Sequence, residues 1–275
     1  MKKIVVIGDF AVDRSIHVQA TRLCPEAPVP VVIPQRETST AGMAGNVLAN
    51  LESISGYPAE NFVAFGPDCD NEKLRYIDAS TGYIMLRVDR DCLKEVEPPF
   101  NPAHLWSEVD SANIGAIVIS DYAKGFLNQK NIAELASRAR SLKIPTFLDT
   151  KMVLGEWSKD IFCVKINQKE YEYNLKAGVQ YPADYCQHFV VTQGGAGTRY
   201  ICGRTETLIP VANVNVADVC GAGDTMLAAL VLKYVSYPDL EGAIYFANAV
   251  ASFAVTKHGV YCATRQDITD LGLLL

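Results

Sequence analysis

Three residues with almost no side chain, Gly221, Ala222 and Gly223, stand immediately before a carboxylate, Asp224, and an apolar run with helical spacing continues to residue 235. A helix that begins at such a turn exposes unpaired backbone N–H groups and the positive end of its dipole, and small residues let a ligand approach that backbone closely. Together they make a hole for an anion. Asp224, in the first helical turn, then stands where it could accept a proton from a hydroxyl beside the anion, which describes phosphoryl transfer to an alcohol. The same pattern also fits a glycine-rich turn with a favourable first-turn charge, worth roughly 0.3–1 kcal/mol. The stretch alone does not choose between the two.

Other apolar runs end in an acid or an amide: Asp9 after IVVIG, Asp121 after AIVIS, Asp149 after TFL, Asn167 after VKI and Gln193 after VVT. In open α/β sheets ligands bind at the carboxyl ends of strands, so these termini are expected to share one rim. Any one of them could equally cap a helix or form a turn. Five together point to a site.

The elements that would position these residues follow from periodicity. β-branched runs such as KIVVIGD, NFVAFG, GAIVISD, PTFLDT, IFCVKIN and HFVVTQGG read as strands, and residues 43–54, 128–141, 168–176, 221–235 and 239–257 have helical spacing. Strands alternating with helices predict an α/β fold with a mostly parallel central sheet flanked by helices on both faces. Residues 14–37 and 83–91 instead alternate polar with apolar and have no helix between them and their neighbours, which predicts a small antiparallel appendage. No repeat or linker divides the chain, so a single domain over 1–275 is expected, with appendage strands from about 12–38 and 82–96.

Hydrophobic residues make up 49% of the chain and charged residues 20%, an ordinary balance for a globular enzyme. A net charge of -6 without any Lys/Arg cluster argues against a nucleic-acid partner. The start, MKKIVVIGDF, is too short in apolar residues for a signal peptide, and no run is long enough to span a bilayer, so a cytoplasmic protein is expected. Eight cysteines, at 24, 69, 92, 163, 186, 202, 220 and 262, form no C-x-x-C pair and read as reduced packing residues rather than zinc ligands or disulfides.

The segment DVCGAGD resembles the Asp-Thr-x-Gly-Ala-Gly-Asp signature of the ribokinase-like (PfkB) carbohydrate kinases. GDFAVDR, AGMAGNVLANL, the N-x-x-E of INQKEYE, VVTQGGAGT and ANAVASFAVTKHG follow in the order that family shows, so the resemblance spans nearly the whole chain. Within the family, RLCPEAPVPVV, ISDYAKGFL and FLDTK look most like the kinase domain of the bacterial heptose-7-phosphate kinases that are joined to an ADP-heptose synthase.

The resemblance implies a ribokinase-like fold with a β-lid over the sugar, Asp224 as catalytic base, and Gly221, Ala222 and Gly223 as the anion hole for the transferred group. It implies ATP and Mg²⁺ as cofactors, with Asn167, Glu170, Thr192, Gly194, Gly197, Asn248, Lys257 and Gly259 around the nucleotide and Glu170 reaching the metal through water. For the acceptor it implies Asp9, Asp13, Gly42 and Asn46, whose carboxylates and amide suit vicinal hydroxyls. A sugar phosphate, with heptose 7-phosphate favoured, also needs cations, and Lys124, Arg14, Arg22 and Arg87 are the candidates. A homodimer through the lid is expected, because a small alternating sheet leaves edges to cover.

Departures from the family concern the acceptor most. Ala41 replaces a glycine, Cys220 a threonine, and Lys165-Ile166 a Thr-Pro pair, while between Gly66 and Tyr83 the chain is short of the usual strand-helix unit. A kinase for another sugar or a nucleoside, and a catalytically weak binding or regulatory relative, are the alternatives. A nucleotide-dependent oxidoreductase is disfavoured because GDFAVD lacks the G-x-G-x-x-G needed for a dinucleotide pyrophosphate.

Overall fold

The computed structural model describes residues 2–68, 71–91 and 100–275. It opens with β1 (Lys3–Gly8), β2 (Phe10–Leu23), β3 (Pro30–Met43), α1 (Ala44–Ser55) and β4 (Phe62–Phe65). Next come β5 (Asn71–Asp78), β6 (Ile84–Arg90), α2 (Pro102–Glu108), β7 (Ile114–Asp121) and α3 (Gln129–Ser141). The chain continues through β8 (Thr146–Thr150), β9 (Cys163–Asn167), α4 (Gln168–Lys176), β10 (His188–Thr192), β11 (Thr198–Cys202) and β12 (Thr205–Ile209). Helices α5 (Ala222–Ser236), α6 (Leu240–Ala254) and α7 (Arg265–Asp270) complete it.

Eight strands form the main sheet in the order β12, β11, β10, β9, β8, β7, β1, β4. From β10 to β4 all neighbours are parallel, and β11 and β12 close the other edge as an antiparallel hairpin. The side-chain period of two divides each parallel strand between two cores. Ile4 and Val6 join α1, α5 and α6 on one face, whereas Val5 and Ile7 join Leu105 of α2 and Ile132 and Leu135 of α3 on the other. Burial on both faces explains why these strands read as unbroken apolar runs. Register aligns their ends: Gly8 pairs with Ser120, Asp121 with Thr150, and Asn167 with Thr192, so the polar termini share one rim.

Above that rim stands a second sheet of four strands, ordered β3, β2, β5, β6. The β2–β3 and β5–β6 pairs are antiparallel, but β2 and β5 run parallel, which corrects the expectation of a purely antiparallel appendage. The added strand, β5, lies inside the short segment between Gly66 and Tyr83. Its register with β2 and β6 puts Asp13, Lys73 and Asp89 in one row and Ser15, Arg75 and Arg87 in another on the same face, while Arg14 and Leu74 point to the opposite face. Residues 92–96 of the expected lid, with Cys69 and Cys92, lie outside the described residues; the six described cysteines are free thiols. Among the described residues no helix is long and apolar enough to cross a membrane.

Candidate active site

The turn into α5 is built on Gly221, whose φ of 78° is left-handed. A Cβ there would lie 2.8 Å from Asn46 Nδ2, so space as well as conformation requires glycine. The first intrahelical bond runs from Thr225 N to the Gly221 carbonyl at 2.9 Å, leaving the N–H groups of Gly223 and Asp224 without an intrahelical acceptor at the positive end of the helix. Asp224 is 6% exposed. Its Oδ2 accepts from Asn46 Nδ2 at 2.9 Å and its Oδ1 from the Tyr122 hydroxyl at 2.8 Å. Burial raises its pKa above the ordinary carboxylate range, and the Asn46 and Tyr122 bonds pull it back. Beneath the turn, Lys165 Nζ donates to Asp149 Oδ2 at 2.5 Å and to the Gly223 carbonyl at 3.1 Å, tying β8, β9 and α5 together.

On the lid side, Asp13 Oδ1 accepts from Arg75 at 2.7 Å. A Cβ on Gly42 would lie 2.4 Å from Asp13 Oδ2, so a glycine is what lets this carboxylate cross the neighbouring strand. Lys73 lies over the Tyr122 ring, 5.3 Å from its centroid, where the charges of Asp13 and Asp224 act on it; burial lowers its pKa. Arg87 pairs with Asp89 at 2.7 Å on the same lid face. Tyr122, Lys73 and Arg75 were missed in the sequence. Their signals were present: Tyr122 follows a strand-end acid, and Lys73 and Arg75 sit two apart in an alternating stretch.

One acceptor expectation changes, and two others gain a structural role. Arg14 turns to the outer lid face, because adjacent residues of a strand face opposite ways, and is held there by Glu37 and by Glu72 at 2.9 Å. Asp9 is fully buried; its Oδ2 accepts the backbone N–H groups of Tyr122 at 2.8 Å and Lys124 at 3.1 Å and so holds the turn that carries them, while its Oδ1 has no hydrogen-bond partner among the described residues. Asn46 donates one amide hydrogen to Asp224 and accepts from Asn50 at 3.1 Å, so it supports the carboxylate and keeps a second amide hydrogen. Lys124 Nζ reaches Asp91 at 2.8 Å, and Arg22 is exposed near the end of β2.

Past the first turn of α5 opens a cavity of about 370 Å³. Thr192, Gly194, Gly197, Ala222, Gly223 and Asn248 line it, with Val214, Val216, Val219 and Val255 as apolar walls. Apolar walls leading to backbone N–H groups suit a flat base joined to phosphates. The Asn248 side chain is already engaged, accepting from Thr198 at 2.7 Å, and so ties β11 to α6. Lys257 and Gly259, expected beside the nucleotide, do not line the cavity. Lys257 stacks over Phe253 at 4.5 Å, and the Gly259 N–H donates to Asp218 at 3.1 Å.

Asn167 and Glu170 form a reciprocal capping box at the start of α4, with bonds of 3.0 and 2.8 Å. The second Glu170 oxygen pairs with Lys151. Among the described residues no three His, Cys, Asp or Glu side chains converge as a metal cluster. A cation that arrives on nucleotide phosphates needs only one or two protein carboxylates and keeps several waters, and a lone Glu170 at this rim is compatible with that.

Residues 85–266 match the model of the pfkB family carbohydrate kinases. The chain belongs to that family. It is 29% identical to the bifunctional protein HldE of Caulobacter vibrioides over 98% of its own length and 63% of that protein's. HldE of Bradyrhizobium diazoefficiens is also 29% identical, over 97% of this chain and 62% of its own. The chain thus spans less than two thirds of these curated relatives. In fold it is similar to the Arabidopsis thaliana ribokinase complexed with ribose and ATP, with a TM-score of 0.71 at 15% identity over 98% of both chains. The Escherichia coli phosphofructokinase-2 gives a TM-score of 0.69 at 18% identity, again over 98% of each chain. The mostly parallel sheet with helices on both faces and a strand lid is therefore a ribokinase fold.

Proposed function

We propose that this carbohydrate kinase transfers a phosphoryl group from ATP to a sugar that already carries a phosphate, with D-glycero-D-manno-heptose 7-phosphate as the favoured acceptor and its 1-hydroxyl as the nucleophile. The observation that carries the acceptor class is the cationic face of the lid. Lys73, Arg75 and Arg87 line up there beside Asp13, on the side from which the charge of Asp224 is felt. Among the described residues Lys73 has no ion-pair partner. Two of the three cations are balanced on that face, Arg75 by Asp13 and Arg87 by Asp89, which leaves the charge of Lys73 for a phosphate, with both guanidinium groups beside it to add charge-assisted bonds.

ATP supplies the transferred group, and Mg²⁺ neutralises charge on its phosphates when bound. Asp224 takes the proton of the attacking hydroxyl, held in place by Asn46 and Tyr122. The N–H groups at the start of α5 face the charge that develops on the group in transit. Asp13 accepts from the sugar hydroxyls, and Gly42 leaves room for its carboxylate. Thr192, Gly194, Gly197 and Asn248 line the nucleotide cavity, and Glu170, at the start of α4, would hold the metal through water. The lid, formed with the main domain as one unit, excludes competing water. Reliance on ATP makes the cytoplasm the expected compartment.

Turnover on heptose 7-phosphate and on unphosphorylated heptose, for wild type and Arg87→Ala, tests the reading. The substitution is expected to raise the KM for the phosphorylated sugar roughly ten- to a hundredfold and to leave the unphosphorylated one unaffected. A wild type that prefers the unphosphorylated sugar removes the phosphate from the acceptor.

A further inference from the structure

The Tyr122 side chain is the one group from the rim turn after β7 that touches the Asp224 carboxylate, and it does so from a clamped position. Its backbone N–H is fixed by buried Asp9 at 2.8 Å. Its ring carries Lys73 of the lid 5.3 Å from its centroid and Lys151 of the β8 end 5.1 Å from it. Lys151 is in turn paired with Glu170. Ring and backbone are thus held from the lid, the main sheet and the start of α4 together.

We propose that Tyr122 is a positioning residue for phosphoryl transfer, donating its hydroxyl hydrogen to Asp224 Oδ1 so that the carboxylate keeps one orientation and a free lone pair toward the acceptor hydroxyl. The inference rests on the reading of Asp224 as the base. Each Asp224 oxygen receives one protein donor, Tyr122 on Oδ1 and Asn46 on Oδ2. Each oxygen has a second lone pair, so the proton of the nucleophile can still be accepted. The phenol remains a donor at working pH, because burial and the neighbouring charges of Asp224, Asp149 and Glu170 all disfavour its ionisation. Asp224 also faces Lys165 and Asp149 from the sheet, Lys73 and Lys151 across the Tyr122 ring, and the Cys262 thiol beyond Asn46.

The test compares Tyr122→Phe and Asp224→Asn with wild type in kcat, in KM for ATP, and in the pH dependence of kcat/KM. Phenylalanine keeps the ring between the two lysines and removes only the hydroxyl. Loss of one hydrogen bond to a charged carboxylate is expected to lower kcat about ten- to a hundredfold with KM for ATP unchanged. A donor to the carboxylate favours its charged form, so its removal moves the acid limb of the profile to higher pH. A merely structural role would leave that limb in place. If Asp224→Asn abolishes turnover while Tyr122→Phe leaves both kcat and the acid limb at wild-type values, the positioning role is wrong and the base stands. If Asp224→Asn itself turns over normally, the reading of the base falls and this inference with it. A Tyr122→Phe enzyme faster than wild type would show the hydroxyl to obstruct the base, and would likewise overturn the inference.

Discussion

Asp121 lies at the end of β7, 1% exposed, with Oδ2 accepting from Thr150 Oγ1 at 2.5 Å and Oδ1 from the Ala123 N–H at 3.1 Å. Burial pushes its pKa up to about 6, with the charges of Asp9 and Asp149 adding to the effect. A carboxyl whose folded value lies above its unfolded one supports folding while protonated. That support is complete below the ordinary value of 3.8 and is lost as pH rises through about 6. Asp121→Asn keeps an acceptor for Ala123 and is expected to stabilise the protein by up to about 3 kcal/mol at pH 8 and by little at pH 4, measured by urea unfolding. An equal difference at both pH values would contradict the assignment. The Lys165–Asp149 pair, 4% and 9% exposed, behaves differently. Lys165→Met leaves Asp149 buried without its cation and is expected to cost about 3–5 kcal/mol, with part of that regained in a Lys165→Met, Asp149→Leu double variant. If the double variant is no more stable than the single one, the cost does not come from the stranded charge.

The lid strands show what an alternating pattern reveals and what it leaves open. β2 was legible because VDRSIHVQ alternates, and the same alternation, applied residue by residue, turns Arg14 away from Asp13. Its adjacency in sequence suggested the opposite. Arg14→Ala is therefore expected to leave the acceptor KM within about twofold of wild type, while Arg87→Ala raises it, a contrast that steady-state kinetics reads directly. Comparable losses in both variants would mean that the two lid faces are not distinct in function. β5 was not legible as a strand, since its eight residues NEKLRYID sit where a strand-helix unit is absent, and its parallel pairing with β2 depends on contacts remote in sequence. The six parallel strands of the main sheet were legible within a residue or a few because burial on both faces writes apolar runs, and five helices were legible from their spacing. Short α2 and α7 carry too few turns for a periodic signal. Of the site, the glycine turn and Asp224 could be read from residue type and spacing. Tyr122, Asn46 and Asp9 have roles set by which hydrogen bonds the fold closes, and no spacing encodes those.

For the whole molecule, the lid leaves Ile33, Tyr83, Ile84 and Leu86 between 50% and 76% exposed, apolar side chains on a small sheet. We propose that a second copy covers them. Light scattering at micromolar concentration is expected to give a dimer, and Leu86→Lys to shift it toward monomer; a wild-type monomer under those conditions would count against the lid interface. Phosphoryl transfer is largely positioning and charge stabilisation, and we assign the proton acceptor and the anion hole to the first turn of α5, which also borders the cavity of about 370 Å³. The most direct test of that assignment is ATP-dependent phosphorylation of heptose 7-phosphate by Asp224→Asn beside wild type, with ATP binding measured by calorimetry on both. The account predicts unchanged ATP affinity and turnover lowered about 10²–10⁴-fold. Near-wild-type turnover in Asp224→Asn would contradict it.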